Sequence, residues 1–424
     1  MARQGHRHHD YVPGQILVAG QTKAERDRLV KALLDDEQLK PLGFTLQQSD
    51  RGPDTVALLK ADLEVGQELD FAAIRHRHSH TSPNYVITPM VHAKVLPINY
   101  PRPTSAPANL PPAADEEAEV TVVVIDSPKI DGTPLADQIE TDDGDHVHLE
   151  VDVADGHASI GHRHDAVHLS DLHGTFVASI IRQREPRAKV RLHGLQNSDD
   201  DGFYSDWELA CQLVKLGQGE LPQVVNLSLG AGPIDGPAIG LGDDEKPRAT
   251  EHALKQLRDL ADERGEPFHV VAAAGNEGIP QLVYPAAFDG VYAVGAQSSL
   301  AGGRPRPARW SNGIGYDGVD YWAPGVSLIG ATIFQHAVSF PPIDTPAVYA
   351  PEFADDLPMA QNENLDFDGW ACWDGTSFAT PVIAARIAKA IIDDEPLDNV
   401  ARDFGSRVNT TGFPGGTFEA PLCG

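Results

Sequence analysis

After Val120 the sequence alternates short apolar runs with longer segments in which apolar residues recur at helical spacing. The short runs are rich in β-branched residues and read VTVVVID, KVRLHGL, VVNLSLG, HVVAAAGN and VYAVGA. Such runs are typical of strands that are covered on both faces. The segments HGTFVASIIRQ, DWELACQLVKLG and ATEHALKQLRDLADERG lie between them and favour helices. The alternation predicts an α/β fold with a mostly parallel, doubly wound sheet and helices on both faces.

Three polar residues stand at the ends of these predicted strands. Asp126 ends VTVVVI, Ser228 follows VVNL, and Asn276 follows HVVAAAG. Open parallel sheets place their chemistry outside the carboxyl ends of the strands, so these side chains are candidates for a site. Taken alone, an aspartate at a strand end is more often a turn or cap residue. A buried carboxylate there needs a cationic or hydrogen-bonding partner.

Two further candidates stand at predicted helix starts. His173 lies in DLHGTFVASIIRQ, and the small residues after it predict that its imidazole lies in the first turn of a helix. Ser377 lies in DGTSFATPVIAARIAKAII, where Pro381 requires the helix to begin close to Ser377. A single serine here would be read as a helix cap, and a single histidine as a surface or core residue.

Together, the aspartate, histidine and serine form a pattern that has a chemical meaning. A serine nucleophile needs a base that takes its proton, and the base needs a carboxylate that fixes its tautomer and stabilises its charged form. The Ser377 N–H, at the positive end of a helix, and the Asn276 amide could both donate to a developing oxyanion. The pattern therefore predicts nucleophilic catalysis by Asp126, His173, Ser377 and Asn276.

These motifs resemble those of the subtilisin-like serine proteases. The resemblance rests on VVVIDSP, LHGTFVAS, VVAAAGNEG and DGTSFATPVIAA, and it extends over about residues 120–392. It implies a serine endopeptidase that hydrolyses peptide bonds through an acyl-enzyme and requires no cofactor. It also implies that a polypeptide substrate binds as an extended strand, with substrate-binding residues Ser228, Leu229, Gly230, Ala273, Ala274 and Gly275.

Two other readings stay open on the residues. A catalytically silent peptide-binding scaffold would keep the same fold, although the intact set of four residues argues against it. The acid-active sedolisin relatives use glutamate and an oxyanion aspartate where this chain has His173 and Asn276.

The chain also departs from the pattern of the family. Ser127 and Pro128 follow the aspartate where a glycine usually stands two positions on. Leu172 precedes the histidine in place of glycine, and Phe176 replaces a common second histidine. None of these changes removes a catalytic atom, but the first puts the backbone beside Asp126 in doubt. Residues 334–370 exceed what a minimal member needs and are expected to form a surface excursion.

The N-terminal part of the chain predicts a separate small domain. We expect a disordered tail at 1–10, an α+β domain at 11–95, a Pro/Ala-rich linker at 96–118 and the catalytic domain at 119–424. The α+β domain, which ends in SPNYVITP, is similar to the propeptide of subtilisin-like proteases. The resemblance implies an intramolecular inhibitor whose C-terminal tail occupies the active site until it is cleaved, with autoprocessing expected in the linker.

Composition limits the partners. The formal net charge of −29 repels phosphate backbones and anionic lipids, which argues against nucleic-acid and membrane partners. No signal peptide or transmembrane run is visible, and three cysteines do not suggest a disulfide framework. These features favour a cytoplasmic location.

The sequence contains histidine-rich and acidic stretches that are relevant to metal binding. The histidine-rich stretches at 6–9, 76–80 and 157–174 could bind a transition metal, but scattered histidines are usually only polar, so no metal ligands are assigned. Structural calcium is expected only from the family resemblance, without ligands. The acidic stretch SDDDGFYSD lacks the full EF-hand spacing.

Overall fold

The structure is a computed structural model of the 424-residue chain. It describes residues 11–47, 51–61, 63, 67–89, 101–112, 119–141, 146–147, 149–152, 157–160, 169–195, 204–231, 246–298, 305–315, 318–338 and 365–404. The predicted N-terminal tail, residues 198–203 of the acidic stretch 198–206 and residues 161–168 of the histidine-rich stretch 157–174 lie outside these residues.

The strands and helices have the following bounds. The strands are β1 (Tyr11–Ala19), β2 (Thr45–Leu46), β3 (Val56–Lys60), β4 (Thr81–Pro89), β5 (Arg102–Pro103), β6 (Thr121–Asp126), β7 (Lys129–Ile130), β8 (His146–Val147), β9 (Leu149–Asp152), β10 (His157–Ile160), β11 (Lys189–Gly194), β12 (Tyr204–Ser205), β13 (Val224–Leu227), β14 (Leu229–Gly230), β15 (His269–Ala273), β16 (Tyr292–Ser298), β17 (Arg306–Pro307), β18 (Tyr321–Pro324), β19 (Leu328–Val338) and β20 (Leu365–Trp373). The helices are α1 (Lys23–Leu34), α2 (Phe71–Arg77), α3 (Leu169–Arg184), α4 (Asp206–Leu216), α5 (Arg248–Arg264), α6 (Thr376–Ile392) and α7 (Asp398–Phe404).

The chain divides into two compact units, of which the first comprises residues 1–87, 203–221 and 231–266. Its antiparallel sheet has the order β12-β4-β1-β3-β2. Alternate residues of a strand point to opposite faces. Ile16 and Val18 accordingly enter a core with residues of α1 and α2, such as Leu33 and Ile74. Leu17, between them, is also fully buried, and α5 contacts β1 and β3.

Helices α4 and α5 belong to the first unit and are joined by a buried carboxylate. Ser205 and Glu208 form a capping box at the start of α4. The Asp206 carboxylate accepts hydrogen bonds from the backbone N–H groups of Ala249 (3.0 Å) and Thr250 (2.8 Å) at the start of α5. Burial raises the pKa of Asp206 to about 6, although the hydrogen bonds from Thr250 and Ala249 act in the opposite direction. The first turns of the two helices are thereby linked.

The second unit comprises residues 88–202, 222–230 and 267–424. Its main sheet has the order β11-β6-β13-β15-β16, continued by the parallel strand β18 and the antiparallel strand β17 on β16. Every residue of β6 and β13 is buried, which explains why these runs are apolar rather than alternating. The predicted α/β fold class, a mostly parallel sheet preceded in the chain by a small α+β region, is confirmed.

Helices α3 and α6 pack against each other and against this sheet. Helix α6 is buried along most of its length, because its sequence TSFATPVIAARIAKAII is largely apolar, with Arg386 and Lys389 as its only charged side chains. Helix α3 begins at Leu169, so His173 lies in its second turn and the prediction of a first-turn position is wrong. That prediction rested on the small residues after the histidine, but the helix already includes the residues before it, of which Leu172 is buried in the hydrophobic core.

The predicted linker is partly ordered on the second unit. Arg102 and Pro103 form the edge strand β5, which pairs antiparallel with Cys372 and Ala371 of β20. An edge position tolerates proline, because only one side of the strand needs backbone donors. Part of the expected excursion at 334–370 also has regular structure, since β19 and β20 pair antiparallel, and residues 339–364 lie outside the described residues.

Three observations bear on location and metals. Cys372 is disulfide-bonded, which contradicts the expectation from the cysteine count; Cys211 keeps its thiol, and Cys423 lies outside the described residues. No helix in the described ranges is long and apolar enough to cross a bilayer. Among the same residues, no group of three or more His, Cys, Asp or Glu side chains is arranged to hold a metal ion. The expected structural calcium stays a prediction.

Candidate active site

The end of β6 and the second turn of α3 bring Asp126 and His173 together. His173 Nδ1 lies 2.8 Å from Asp126 Oδ1, and both side chains are fully buried. A carboxylate at this position fixes the imidazole with its proton on Nδ1 and leaves Nε2 as the basic nitrogen. The structure therefore forms the aspartate–histidine pair that the sequence predicted.

Ser127, the first residue after Asp126, contacts both the aspartate and the backbone around His173. The Ser127 N–H donates to Asp126 Oδ1 at 2.8 Å, whereas Pro128 has no N–H to donate. Within the described ranges, Asp126 Oδ2 has no hydrogen-bond partner. The Ser127 hydroxyl accepts from the Gly174 N–H (2.8 Å) and donates to the Asp171 carbonyl (3.3 Å). Ser127 thus ties the backbone on both sides of the histidine to the end of β6.

Gly174 allows α3 to approach β6 this closely. A Cβ atom at this position would lie 2.2 Å from the Ser127 carbonyl oxygen and 3.1 Å from the Asp126 Cβ. The first distance is far below van der Waals contact with a backbone atom that cannot move aside alone. The glycine after the histidine is therefore required by close packing.

Ser377 is the second residue of α6, and its carbonyl is bound by another predicted site residue. Pro381 has no N–H, so it cannot donate the usual helical hydrogen bond to the carbonyl four residues earlier, which belongs to Ser377. Ser228 Oγ donates to that carbonyl at 2.7 Å. Asn226 Nδ2 in turn donates to Ser228 Oγ at 2.9 Å. Because of Pro381, the Ser377 carbonyl has no helical donor, and its hydrogen bond with Ser228 instead links Ser377 to the segment after β13.

The Ser377 hydroxyl does not hydrogen-bond His173 in this structure. Ser377 Oγ donates to the Ser228 carbonyl at 3.2 Å, and His173 Nε2 has no partner among the described residues. The imidazole nevertheless lies beside the start of α6, because its ring centroid is 5.3 Å from that of Phe378. Side-chain rotation about the Cα–Cβ bond of serine is fast, and hydrogen bonds between catalytic groups are often loose before substrate binds.

Asn276, after β15, is buried and held against the start of α6. Its Oδ1 accepts from the backbone N–H and the hydroxyl of Thr376, both at 2.9 Å. Because the two donors engage the oxygen, the amide orientation is fixed and its Nδ2 donor lies on the other branch of the side chain. The structure brings Asn276 next to the residue that precedes Ser377.

The six predicted substrate-binding residues fall into two groups. In the first group, Ser228 hydrogen-bonds Ser377, and Leu229 and Gly230 of β14 pair antiparallel with Pro89 and Thr88. The backbone around Ala274 is already used, since the Ala274 N–H donates to Val294 O and the Ala274 carbonyl accepts from Val283 N. A substrate-binding role for Ala273, Ala274 and Gly275 stays a prediction.

Sequence reasoning missed the aromatic surroundings of the histidine. The His173 ring lies 6.0 Å from Trp373, edge to face, and the Phe176 ring lies 5.5 Å from Trp373 and 4.8 Å from Phe378. The replacement of a common second histidine by Phe176 was the visible signal, because an aromatic residue one helical turn after His173 can share its surroundings. The sequence gives no comparable indication for Trp373, which comes from a distant strand.

Ser228→Ala is expected to destabilise the second unit by about 1–3 kcal/mol, because the buried Ser377 carbonyl then loses its donor. The matched control is Pro381→Ala, which restores an N–H four residues after Ser377. In the double variant, the added N–H should recover part of the loss. The measurement is thermal and urea unfolding of the wild type, the two single variants and the double variant. Strict additivity of the two substitutions would contradict this assignment.

The sequence and the fold of this chain are similar to those of known proteins. The subtilase family profile matches residues 117–397. Fervidolysin from Fervidobacterium pennivorans, a keratinolytic enzyme related to subtilisin, is similar in structure with a TM-score of 0.50 and 17% identity over 93% of this chain. The epidermin leader peptide processing serine protease EpiP from Staphylococcus aureus gives a TM-score of 0.51 and 16% identity over 94% of this chain.

The lengths of these structures differ. The chain spans 56% of the length of fervidolysin and 95% of that of EpiP. None of the curated proteins matches the sequence significantly. The family match covers well over half of the chain and includes the aspartate, the histidine, the asparagine and the serine described above. The chain therefore belongs to the subtilase family of serine peptidases.

Proposed function

We propose that the protein is a serine endopeptidase that hydrolyses peptide bonds through an acyl-enzyme on Ser377. The observation that carries the proposal is the buried hydrogen bond between Asp126 and His173 beside the start of α6, where Ser377 is the second residue. A neutral imidazole oriented by a carboxylate can act as a general base. A serine at a helix start can act as a nucleophile, because the negative charge that develops on the attacked carbonyl oxygen lies near the positive end of the helix.

Each residue has one role in this mechanism. His173 Nε2 takes the proton of Ser377 Oγ as the oxygen attacks the substrate carbonyl, and later gives it to the leaving amine. Asp126 holds the imidazole and stabilises its protonated form. The backbone N–H of Ser377 and the amide of Asn276 donate to the oxyanion of the tetrahedral intermediate. A water molecule then attacks the acyl-enzyme and gives its proton to His173, which passes it to Ser377 Oγ as the acyl group leaves as a carboxylate.

The substrate is proposed to bind as an extended strand along β14. The support is the pairing that the chain makes with itself, since Thr88 pairs with Gly230 and Pro89 with Leu229. A strand added to an exposed edge gains its affinity from backbone hydrogen bonds, and pockets for alternate side chains give specificity. A segment of the chain in the place of the substrate also supports an intramolecular inhibitory role for the N-terminal domain.

The test is labelling with a fluorophosphonate, which reacts with activated serines. After incubation that allows maturation, the wild type should be labelled on Ser377, as identified by peptide mass spectrometry, and Ser377→Ala should not. Equal labelling of the two proteins would instead favour the silent peptide-binding scaffold. Heat-denatured wild type controls for reaction with unfolded chains.

Asn276→Asp is expected to lower kcat by about 10²–10³ with little change in KM. That factor comes from subtilisin, a member of the same family, for the loss of one oxyanion donor. The substitution keeps the Oδ1 that accepts from Thr376 but replaces the amide donor by an oxygen, and in its ionised form it adds a negative charge to a fully buried site beside the developing oxyanion. Steady-state hydrolysis of a peptide substrate measures the effect. A rise in KM at constant kcat would show that Asn276 contacts the ground state instead.

A further inference from the structure

The segment after β15, which carries Asn276, is hydrogen-bonded to the segment that follows β17. The Asn312 N–H donates to the Gly275 carbonyl at 2.9 Å. The Gly278 N–H donates to the Trp310 carbonyl at 2.9 Å. These hydrogen bonds lie on either side of Asn276 in the chain, so the segment after β17 supports the backbone from which the Asn276 side chain extends.

The Asn312 side chain is fully buried and uses both ends of its amide on this segment. Its Oδ1 accepts from the Glu277 N–H at 2.9 Å and from the Ile279 N–H at 3.2 Å. Its Nδ2 donates to Glu277 Oε2 at 2.6 Å. Because an amide oxygen only accepts and an amide nitrogen only donates, these partners fix the orientation of the Asn312 amide.

Glu277 links Asn312 to the backbone of Asn276. The same Oε2 that accepts from Asn312 also accepts from the Asn276 N–H at 3.0 Å. The Oδ1 atom of Asn276 is bound separately by Thr376, as described above. Asn276 is therefore held at its backbone by one set of contacts and at its side chain by another.

Gly275 allows the Asn312 amide to come this close. Its φ of +110° lies in the region that favours glycine. A Cβ atom at this position would lie 2.2 Å from Asn312 Nδ2 and 2.7 Å from Glu277 Oε2. The residue before Asn276 thus leaves room for the contact between Asn312 and Glu277.

We propose that Asn312 is a positioning residue for the oxyanion donor and acts on catalysis through Asn276. The inference rests on the peptidase function proposed above. An oxyanion donor is effective when its N–H already points to the place where the charge develops, so a small displacement of the Asn276 amide weakens the stabilisation. Both ends of the Asn312 amide are engaged by the segment that carries Asn276, so its effect on the reaction depends on where Asn276 lies.

Asn312→Ala is expected to lower kcat by about 10–10², less than the 10²–10³ lost with an oxyanion donor, because the Asn276 amide is displaced rather than removed. KM should stay within about twofold, since the donor acts on the transition state. Steady-state hydrolysis of a fluorogenic peptide measures both constants, with residues 88–89 removed from β14 in every protein. A wild-type kcat for Asn312→Ala would overturn the inference.

The decisive measurement repeats the substitution in an Asn276→Ala background. The amide that Asn312 positions is then gone, so Asn312→Ala should cause no further loss of kcat. Residues that act through one another are non-additive in this way, whereas independent effects multiply. A further loss of the same size in the Asn276→Ala background would show that Asn312 acts on the fold as a whole and would contradict a positioning role.

Glu277 provides a second test that keeps Asn312 in place. Glu277→Gln retains a side-chain oxygen that can accept from the Asn276 N–H, whereas Glu277→Ala does not. Both substitutions remove the charge, so the difference in kcat between them measures the acceptor. We expect Glu277→Ala to be about tenfold slower than Glu277→Gln, because its Asn276 backbone is held less firmly. Equal kcat values for the two variants would exclude the link through Glu277.

Ser311→Ala is the matched control, because Ser311 precedes Asn312 and is also fully buried. Its hydroxyl accepts from the Ala296 N–H at 3.0 Å and donates to the Asn312 carbonyl at 3.2 Å, so the Asn312 side chain keeps its partners when the hydroxyl is removed. Thermal unfolding should show lower stability, while kcat stays within about twofold of the wild type. A loss of kcat as large as that of Asn312→Ala would mean that reduced stability alone explains the effect.

Fluorophosphonate labelling separates this inference from the proposed function. If Ser377 is labelled in the wild type but Asn312→Ala hydrolyses the peptide as fast as the wild type, the positioning role is wrong and the peptidase function stands. If the wild type is neither labelled nor active on peptides, the peptidase function fails, and the inference fails with it.

Discussion

Ser377→Ala is expected to lower kcat for peptide hydrolysis by about 10⁶, the size of the loss that removal of the serine causes in subtilisin. Without the hydroxyl, no acyl-enzyme forms, and only oxyanion stabilisation and binding remain for direct attack by water. The substitution leaves the Ser228–Gly230 segment itself unchanged, so the loss should be seen in kcat when residues 88–89 have been removed from that segment in both proteins. Kinetics with a fluorogenic peptide and active-site titration measure it.

The control for this variant is Ser179→Ala. Ser179 is also fully buried, and its hydroxyl donates to the Phe176 carbonyl at 2.7 Å and accepts from the Ala331 N–H at 2.8 Å, away from the proposed chemistry. It should lower stability through the lost hydrogen bonds but leave kcat within a few-fold of the wild type. Hydrolysis by Ser377→Ala within tenfold of the wild type would exclude Ser377 as the nucleophile.

The local parts of the site could be predicted because they depend on short-range patterns. Buried strands read as continuous β-branched runs, so the end of β6 and the end of β15 were visible in the sequence. Pro381 restricts where α6 can start, and α6 begins at Thr376, one residue before the predicted nucleophile. Each of these inferences uses only neighbours within about one helical turn.

The parts that escaped prediction depend on contacts between residues far apart in the chain. Ser228 binds the Ser377 carbonyl across 149 positions, and Ser127 binds the Gly174 N–H across 47. Neither contact produces a periodic pattern in the sequence. A proline within a helix does indicate that one backbone carbonyl lacks its helical donor and needs another. The register of β4 on β14 is similarly non-local. Strand periodicity indicates on which face of a sheet a side chain lies, but not with which residue of another strand it pairs.

Asp126→Ala is expected to lower kcat by about 10⁴, close to the loss that removal of the aspartate causes in subtilisin. The alanine leaves His173 Nδ1 without its acceptor in a fully buried site, so both the tautomer and the stabilisation of the protonated imidazole are lost. Asp126→Asn should lose less. Asp126 Oδ1 accepts from both His173 Nδ1 and the Ser127 N–H, and a backbone donor at 2.8 Å holds an amide oxygen there in the same orientation.

The difference between the two variants therefore measures what Ser127 contributes. With the oxygen held in place, the asparagine keeps the productive tautomer and loses only the negative charge, whereas the alanine loses both. Asp206→Asn is the matched control, because Asp206 is equally buried but lies in the first unit, and its kcat should equal that of the wild type. Comparison of kcat for the three variants decides the point. If Asp126→Asn is as slow as Asp126→Ala, the amide is not held by the Ser127 N–H, and the serine after the aspartate does not compensate for the missing glycine.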